Sequence, residues 1–269
     1  MAIITISRGS HSGGKMLAAC LAGKLGFRSI DREVIVEKAS VYGIRQEELI
    51  ESLEKAPSFW DRFRHKRYIY LTLIQAALLD ELKEGKAIYH GHAGHLLLKG
   101  VDCVLRTRII APMAFRRAIV RDKLKLEDKE AVAYIHKMDN ERKKWTQYLY
   151  GVDWEDPTLY DLLLNLECLD IEGACDIISA AANRPCFKET PEALEALTDL
   201  HLASKVRANL AVNPSTANLE VEVSSRKGIV SISGSLGSTA EMKDVESVAL
   251  RVEGVKDLNL DELVFFQDV

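Results

Sequence analysis

The stretch "ISRGSHSGGKML", Ile6 to Leu17, decides how the rest of the chain is read. It continues "IITIS", a β-branched run of the kind that a strand buried on both faces requires. It leads into "KMLAACLAGKLG", where Met16, Leu17, Cys20, Leu21 and Leu25 share one helical stripe and Gly26 is placed as a C-cap. A strand, a glycine loop and a helix in direct succession gather unpaired backbone N–H groups and the positive end of a helix dipole at one point. Glycines are needed there because side chains would keep the loop from wrapping an anion. Gly9, Ser10, His11, Ser12, Gly13, Gly14 and Lys15 fit the spacing G-x-x-x-x-G-K, which predicts a phosphate-binding loop with Lys15 reaching the outer phosphates. The next position of that motif carries a metal-binding hydroxyl, and here it is Met16.

Outward from the loop, "FRSI" reads as a second strand ending at Asp31, and the β-loop-α-β order implies a parallel sheet. Carboxyl ends of parallel strands line the crevice of open α/β sheets, so Asp31 is a site candidate outside the loop. Helical patterns run to about residue 84, clearest in "YIYLTLIQAALLDELKEG". "KAIYHG" and "CVLRTRIIAP" extend the sheet, residues 114–150 are helical and heavily charged, "YDLLLN" is a last strand and "IEGACDIISAAAN" a last helix. This alternation predicts a three-layer α/β domain over residues 1–183. Residues 184–199, with two prolines in "RPCFKETPEALEALTDLH", read as a linker or bridging helix. Residues 200–269 read as a small α+β domain: a helix, a hairpin with period-two alternation around "SRKG", an amphipathic helix and a closing strand in "KDLNLDELVFF".

Composition excludes several classes. The chain has 269 residues, 47% hydrophobic and 28% charged, with a net charge of −4, so no global basic field draws it to nucleic acid. Its 5 cysteines contain no C-x-x-C pair, which points to reduced thiols rather than a disulfide framework or a zinc ribbon. The first apolar run is too short for a signal peptide and no later run approaches a membrane span, so a cytoplasmic protein is expected. His90 and His92 would share a strand face, with His95 beyond, but no Asp, Glu or Cys joins them at ligand spacing, and no protein-held metal site is expected.

With the loop, four further stretches carry a resemblance. "IDREVI" follows the second strand, "IIAPMAFR" leads a strand into a helix bearing Arg116, "KMDNERKKW" has a lid spacing K-x-D-x-x-R, and "GVDWEDPTLYDLLLN" follows it. Together, in this order over about residues 3–180, they resemble the cytidylate kinase-like family of P-loop nucleoside monophosphate kinases. The resemblance implies a P-loop fold with a helical lid, and transfer of the γ-phosphoryl group of ATP, with Mg2+, to a nucleoside monophosphate such as CMP or dCMP. It implies that residues 9–16 bind ATP, that Lys15 and Arg142 are catalytic, and that Asp31, Arg32, His92, Arg116, Asp139, Lys143 and Asp161 contact the acceptor or close over the phosphates. Asp139, three residues before Arg142, would orient that guanidinium. Three departures are visible: Gly14 falls where typical cytidylate kinases place the loop lysine, Met16 where they place a threonine, and His92 replaces the family's arginine. They motivate a second reading, a nucleotide-binding sensor that transfers no phosphate.

The C-terminal residues resemble a BON domain, with Gly228, Val230, Ile232 and Gly234 in the hairpin and Val252, Gly254 and Val255 after the helix. The resemblance implies a module for a small hydrophobic ligand or a protein partner, with no catalytic residues of its own.

Overall fold

The computed structural model describes residues 3–54, 64–91 and 93–265. β1 (Ile3–Arg8) is buried from Ile3 to Ser7, which apolar side chains alone do not explain. Two of its polar groups find side-chain partners: Thr107 Oγ1 donates to the Thr5 carbonyl at 2.7 Å, and Ser7 Oγ lies 3.2 Å from the Tyr160 hydroxyl. The chain continues through α1 (Gly14–Leu25), β2 (Arg28–Ile30), α2 (Arg32–Ala39), α3 (Gln46–Glu54), α4 (Arg64–Leu82), β3 (Ala87–Tyr89) and α5 (Gly94–Leu97). β4 (Val104–Ile110), α6 (Met113–Leu124), α7 (Asp128–Tyr150), β5 (Leu162–Asn165) and α8 (Ile171–Ala182) follow. The sheet has the order β2-β3-β1-β4-β5 and every pairing is parallel. Ile4 and Ile6 of β1, Leu105 and Ile109 of β4, Leu17 and Leu21 of α1 and Ile178 of α8 form one core, so α1 and α8 cover one face of the sheet.

α6 and α7 pair over Val120, Ala131 and Ile135. Glu127 and Glu130 close a capping box at the start of α7, which fixes where that long charged helix begins.

The chain divides into two compact units that are not contiguous in sequence, whereas the boundaries read from composition are. The first holds Met1–Val34, Ile50–Trp60 and Glu84–Thr190; the second holds Ile35–Leu49, Asp61–Lys83 and Pro191–Val269. In the second unit α9 (Pro191–Val212) packs along α4 as one helix of 22 residues. Composition predicts a bridging helix and then a separate one. No glycine or proline interrupts residues 192–212, and Asn213-Pro214 stops the helix.

β6 (Val221–Arg226) and β7 (Ile229–Leu236) form the expected antiparallel hairpin, with Lys227 at φ 55° and Gly228 at φ 89° in the tight turn. α10 (Thr239–Leu250) starts at Ser238, whose Oγ accepts from the Glu241 N–H at 3.2 Å. One closing strand is expected, yet two short ones form, β8 (Asp257–Asn259) and β9 (Leu263–Phe265), both parallel to β7. Asn259 causes the break: its side-chain oxygen accepts from the Asp261 N–H at 2.9 Å and turns the chain. No helix among the described residues is long and apolar enough to cross a membrane.

Candidate functional site

The loop between β1 and α1 lies at the carboxyl end of the sheet's central strand. His11 at φ 59° and Gly13 at φ 81° turn it, and the Leu17 N–H closes the first helical turn onto the Gly13 carbonyl at 3.0 Å. No side chain caps α1 and its first turn holds no acid, so neither a cap nor an acid of its own first turn answers its N-terminal amides and positive dipole end. Gly14 is glycine for a specific reason: a Cβ there would lie 2.0 Å from Arg8 Cδ and 2.5 Å from Arg8 Nε. The Arg8 side chain crosses the loop where any larger residue would stand.

A cavity of about 430 Å³ opens beside the loop. Arg8, Lys15, Arg32, Lys123 and Arg142 border it, and among the described residues Asp31 and Glu33 are the acids that do. The crowding of cations has consequences. Burial lowers the pKa of Arg8, with Arg32 adding to the shift. Burial, and next the Arg8 charge, push Arg142 down to about 10, so it remains charged at neutral pH. His11, beside the loop, is pushed down to about 4 by burial and by Lys123, Arg142, Arg8 and Arg116, and is neutral at pH 7. His90 is lowered by burial and by Arg8. Tyr89, buried under Gly91 and Gly94, is pushed up to about 12 by burial.

Arg116 and Asp139 brace the loop from α6 and α7. Arg116 Nε donates to the Ser10 carbonyl at 2.7 Å, and the Ser10 N–H donates to Asp139 Oδ1 at 2.9 Å. Arg116 Nη2 lies 2.6 Å from Asp139 Oδ2. Asp139 is expected beside Arg142; its ion pair is with Arg116 instead, because α7 turns its carboxylate toward α6 and the loop. Arg142 Nη1 donates to the Arg8 carbonyl at 2.9 Å.

The other expected residues divide. Asp31 and Arg32 border the cavity, and Asp31 Oδ1 also accepts the Val34 N–H at 3.1 Å, capping α2. Met16 belongs to the expected apolar stripe of α1 but is 55% exposed and borders the cavity. Lys143 turns away from the cavity, to Asp153 at 2.8 Å and Glu155 at 3.2 Å. Asp161 lies at the start of β5, where Arg106 clasps it with Nη2 at 2.7 Å and Nε at 3.1 Å. Arg106 is level with Thr5 in the register, so Asp161 lies about 10 Å back along the strands from Arg8. His92 lies outside the described residues. Among the described residues no three His, Cys, Asp or Glu side chains cluster as a metal site. Trp154 and Tyr160 are buried anchors, with the Tyr160 hydroxyl donating to the Trp154 carbonyl at 2.7 Å.

Sequence reasoning missed Arg8 and Lys123 as cavity residues. Arg8 was findable, since it ends β1 at the carboxyl side of the sheet, where ligand crevices form. The same rule tells against Asp161, which begins its strand. Lys123 carries no local signal, because its place depends on how α6 and α7 pair.

A parallel sheet whose central strand feeds an uncapped, glycine-led helix beside a cationic cavity is a kinase-like nucleotide-binding fold. Residues 3–167 match the sequence profile of the cytidylate kinase-like family, and the chain belongs to that family. Residues 198–264 match the BON domain. The cytidylate kinase of Thermococcus kodakarensis is 28% identical over 180 residues, covering 66% of this chain and 86% of that protein. The cytidylate kinase of Pyrococcus horikoshii is 27% identical over 180 residues, covering 66% and 87%. Among solved structures, an uncharacterized protein from Eubacterium ventriosum superposes with a TM-score of 0.53 at 20% identity, covering 68% of this chain and 98% of that one. That likeness is one of fold alone.

Proposed function

We propose that the protein is an ATP-dependent nucleoside monophosphate kinase of the cytoplasm acting on CMP or dCMP. The observation that carries this is the excess of cations over acids around an uncapped helix N-terminus. Phosphoryl transfer asks little of a protein beyond in-line positioning and positive charge around the transferring group. The amides of residues 12–15 would take the donor phosphates, and Arg142 with a loop cation would neutralise the charge that spreads over the equatorial oxygens. Asp31 and Arg32 would face the acceptor. Arg116, held by Asp139, would fix the loop, and α6 and α7 would keep water, a competing acceptor, from the cavity.

The residues present fit Mg2+. Ser10 and Ser12 carry buried hydroxyls without a partner, Ser10 borders the cavity, and Mg2+ needs few protein ligands when phosphates and waters supply the rest. Ser10 would hold it, and when bound it would supply positive charge to the phosphates of the nucleotide. The relatives' activity on CMP supports the choice of acceptor. The BON domain would take a small hydrophobic ligand or a protein segment; its cleft of about 330 Å³ is bordered by Leu202, Gly228 and Gly254 together with charged side chains, among them Lys205, Lys227, Glu253 and Lys256.

A coupled assay with ATP, Mg2+ and a panel of nucleoside monophosphates tests the reading, with turnover greatest on CMP or dCMP. Tight ATP binding with no turnover on any acceptor would instead favour the sensor reading, which Met16 at the hydroxyl position motivates.

A further inference from the structure

We infer that Arg8, and not Lys15, is the principal phosphate-gripping cation of the loop, and that Arg8 and Arg142 clamp one anionic group between them. The inference rests on the nucleotide reading above and deepens it.

The geometry begins at Gly14. The stem of Arg8 lies across this glycine so closely that even an alanine Cβ would collide with it. Arg8 therefore occupies, from the end of β1, the space over the loop that a longer side chain at position 14 would fill. Its guanidinium borders the cavity, yet among the described residues it forms no ion pair and donates no hydrogen bond. A partly buried guanidinium with five donors and no acceptor is costly unless a ligand supplies oxygens.

Arg142 shows the same deficiency from the other side. Its contact with the loop is the bond to the Arg8 main-chain carbonyl, a neutral acceptor that cannot balance its charge. Arg142 is thereby held to the main chain of Arg8 and feels the positive charge of that residue, and the Arg116–Asp139 pair is already closed on itself. An anion between them removes the repulsion and satisfies both. Guanidinium forks match the O–P–O edge of a phosphate, so two of them fix the group's orientation as well as its charge. Lys15, in contrast, lies exposed in the first turn of α1, reaching the same cavity from its rim.

The test is calorimetric titration of ATP, with and without Mg2+, into the full chain. Arg8→Met is expected to weaken ATP binding at least about 30-fold, and Lys15→Met by about threefold. Arg8→Lys, which keeps the charge and loses the fork, falls between, about tenfold weaker. The nucleotide-free Arg8→Met protein should melt no lower than wild type, but at a given ATP concentration its ATP-induced rise in melting temperature should be clearly smaller. A Lys15→Met loss equal to or greater than that of Arg8→Met overturns the assignment and leaves the nucleotide reading standing. If Arg8→Met does not fold, Arg8→Lys decides, and wild-type affinity in it overturns the assignment. A wild-type protein that binds no ATP removes the nucleotide reading itself, and the assignment with it.

Discussion

The two ends of the five-stranded sheet use arginine in opposite ways. At the amino end Arg106 meets Asp161 through two side-chain bonds, and the Arg106 N–H adds a third at 2.8 Å. Further along β4, Arg108 stacks 4.2 Å over the Trp154 ring and donates to the Trp154 carbonyl at 2.6 Å. At the carboxyl end Arg8 and Arg142 crowd together beside a cavity with few acids. An arginine whose donors are all answered by the protein holds the fold. One that meets a lone carbonyl, or no partner among the described residues, is set for a ligand, and the fold tolerates its cost for that reason.

The largest expected effect breaks the carboxyl end. Arg142→Met should lower kcat/KM for phosphoryl transfer by about 10²- to 10³-fold, roughly 3–4 kcal/mol. Its melting temperature without nucleotide should hardly fall, because a buried cation is removed along with its bond. A variant that unfolds, or one that keeps its activity, would contradict the contrast between the two ends.

Two histidines sharpen the comparison by their titration. His95, whose ring lies tilted 4.7 Å from that of Tyr160, has neither nitrogen hydrogen-bonded among the described residues, and burial, with Arg106 and Arg108, pushes it down to about 4. His11 at the loop is likewise pushed down to about 4. Unfolding returns each to its ordinary value of 6.5, so the unfolded chain binds more protons between these limits. Stability is therefore full above pH 6.5 and falls as the pH drops toward 4. His95 contributes at most about 3 kcal/mol of that loss, and His11, half in solvent, less. His95→Phe should flatten the acid side of a stability profile. ATP should raise the pKa of His11 and leave His95 unmoved, which proton NMR of the two imidazoles would read.

Gly14→Ala forces the Arg8 stem from its place, so ATP affinity should fall about tenfold, near 1.4 kcal/mol, while the helix itself gains propensity. The smallest effect belongs to the amino end. Arg106→Met should lower stability by about 1 kcal/mol, since the pair is partly exposed, and should leave ATP affinity unchanged. A change in ATP affinity in that variant would mean that the two ends are coupled.

Much of this was legible in residues 3–17 alone. The buried strand, the glycine loop and the helix followed from local periodicity, and the later strands and helices were found by the same means. The exceptions are instructive. Two expected C-terminal helical segments are one, α9, because proline counts suggested a break where no residue of 192–212 enforces it. The single closing strand is two, because one asparagine side chain competes with the ladder.

The sequence by itself determined most of the element order, the glycine-led passage from strand to helix and the family, since these depend on spacing along a few turns of chain. Only the tertiary structure decided which cations reach the loop. It set Arg8 across Gly14, brought Lys123 to the cavity, gave Asp139 to Arg116 rather than Arg142, and sent Lys143 and Asp161 elsewhere. The reason is physical: periodicity fixes the face on which a side chain lies, but its partner depends on the packing angle of neighbouring helices and the register of strands distant in sequence.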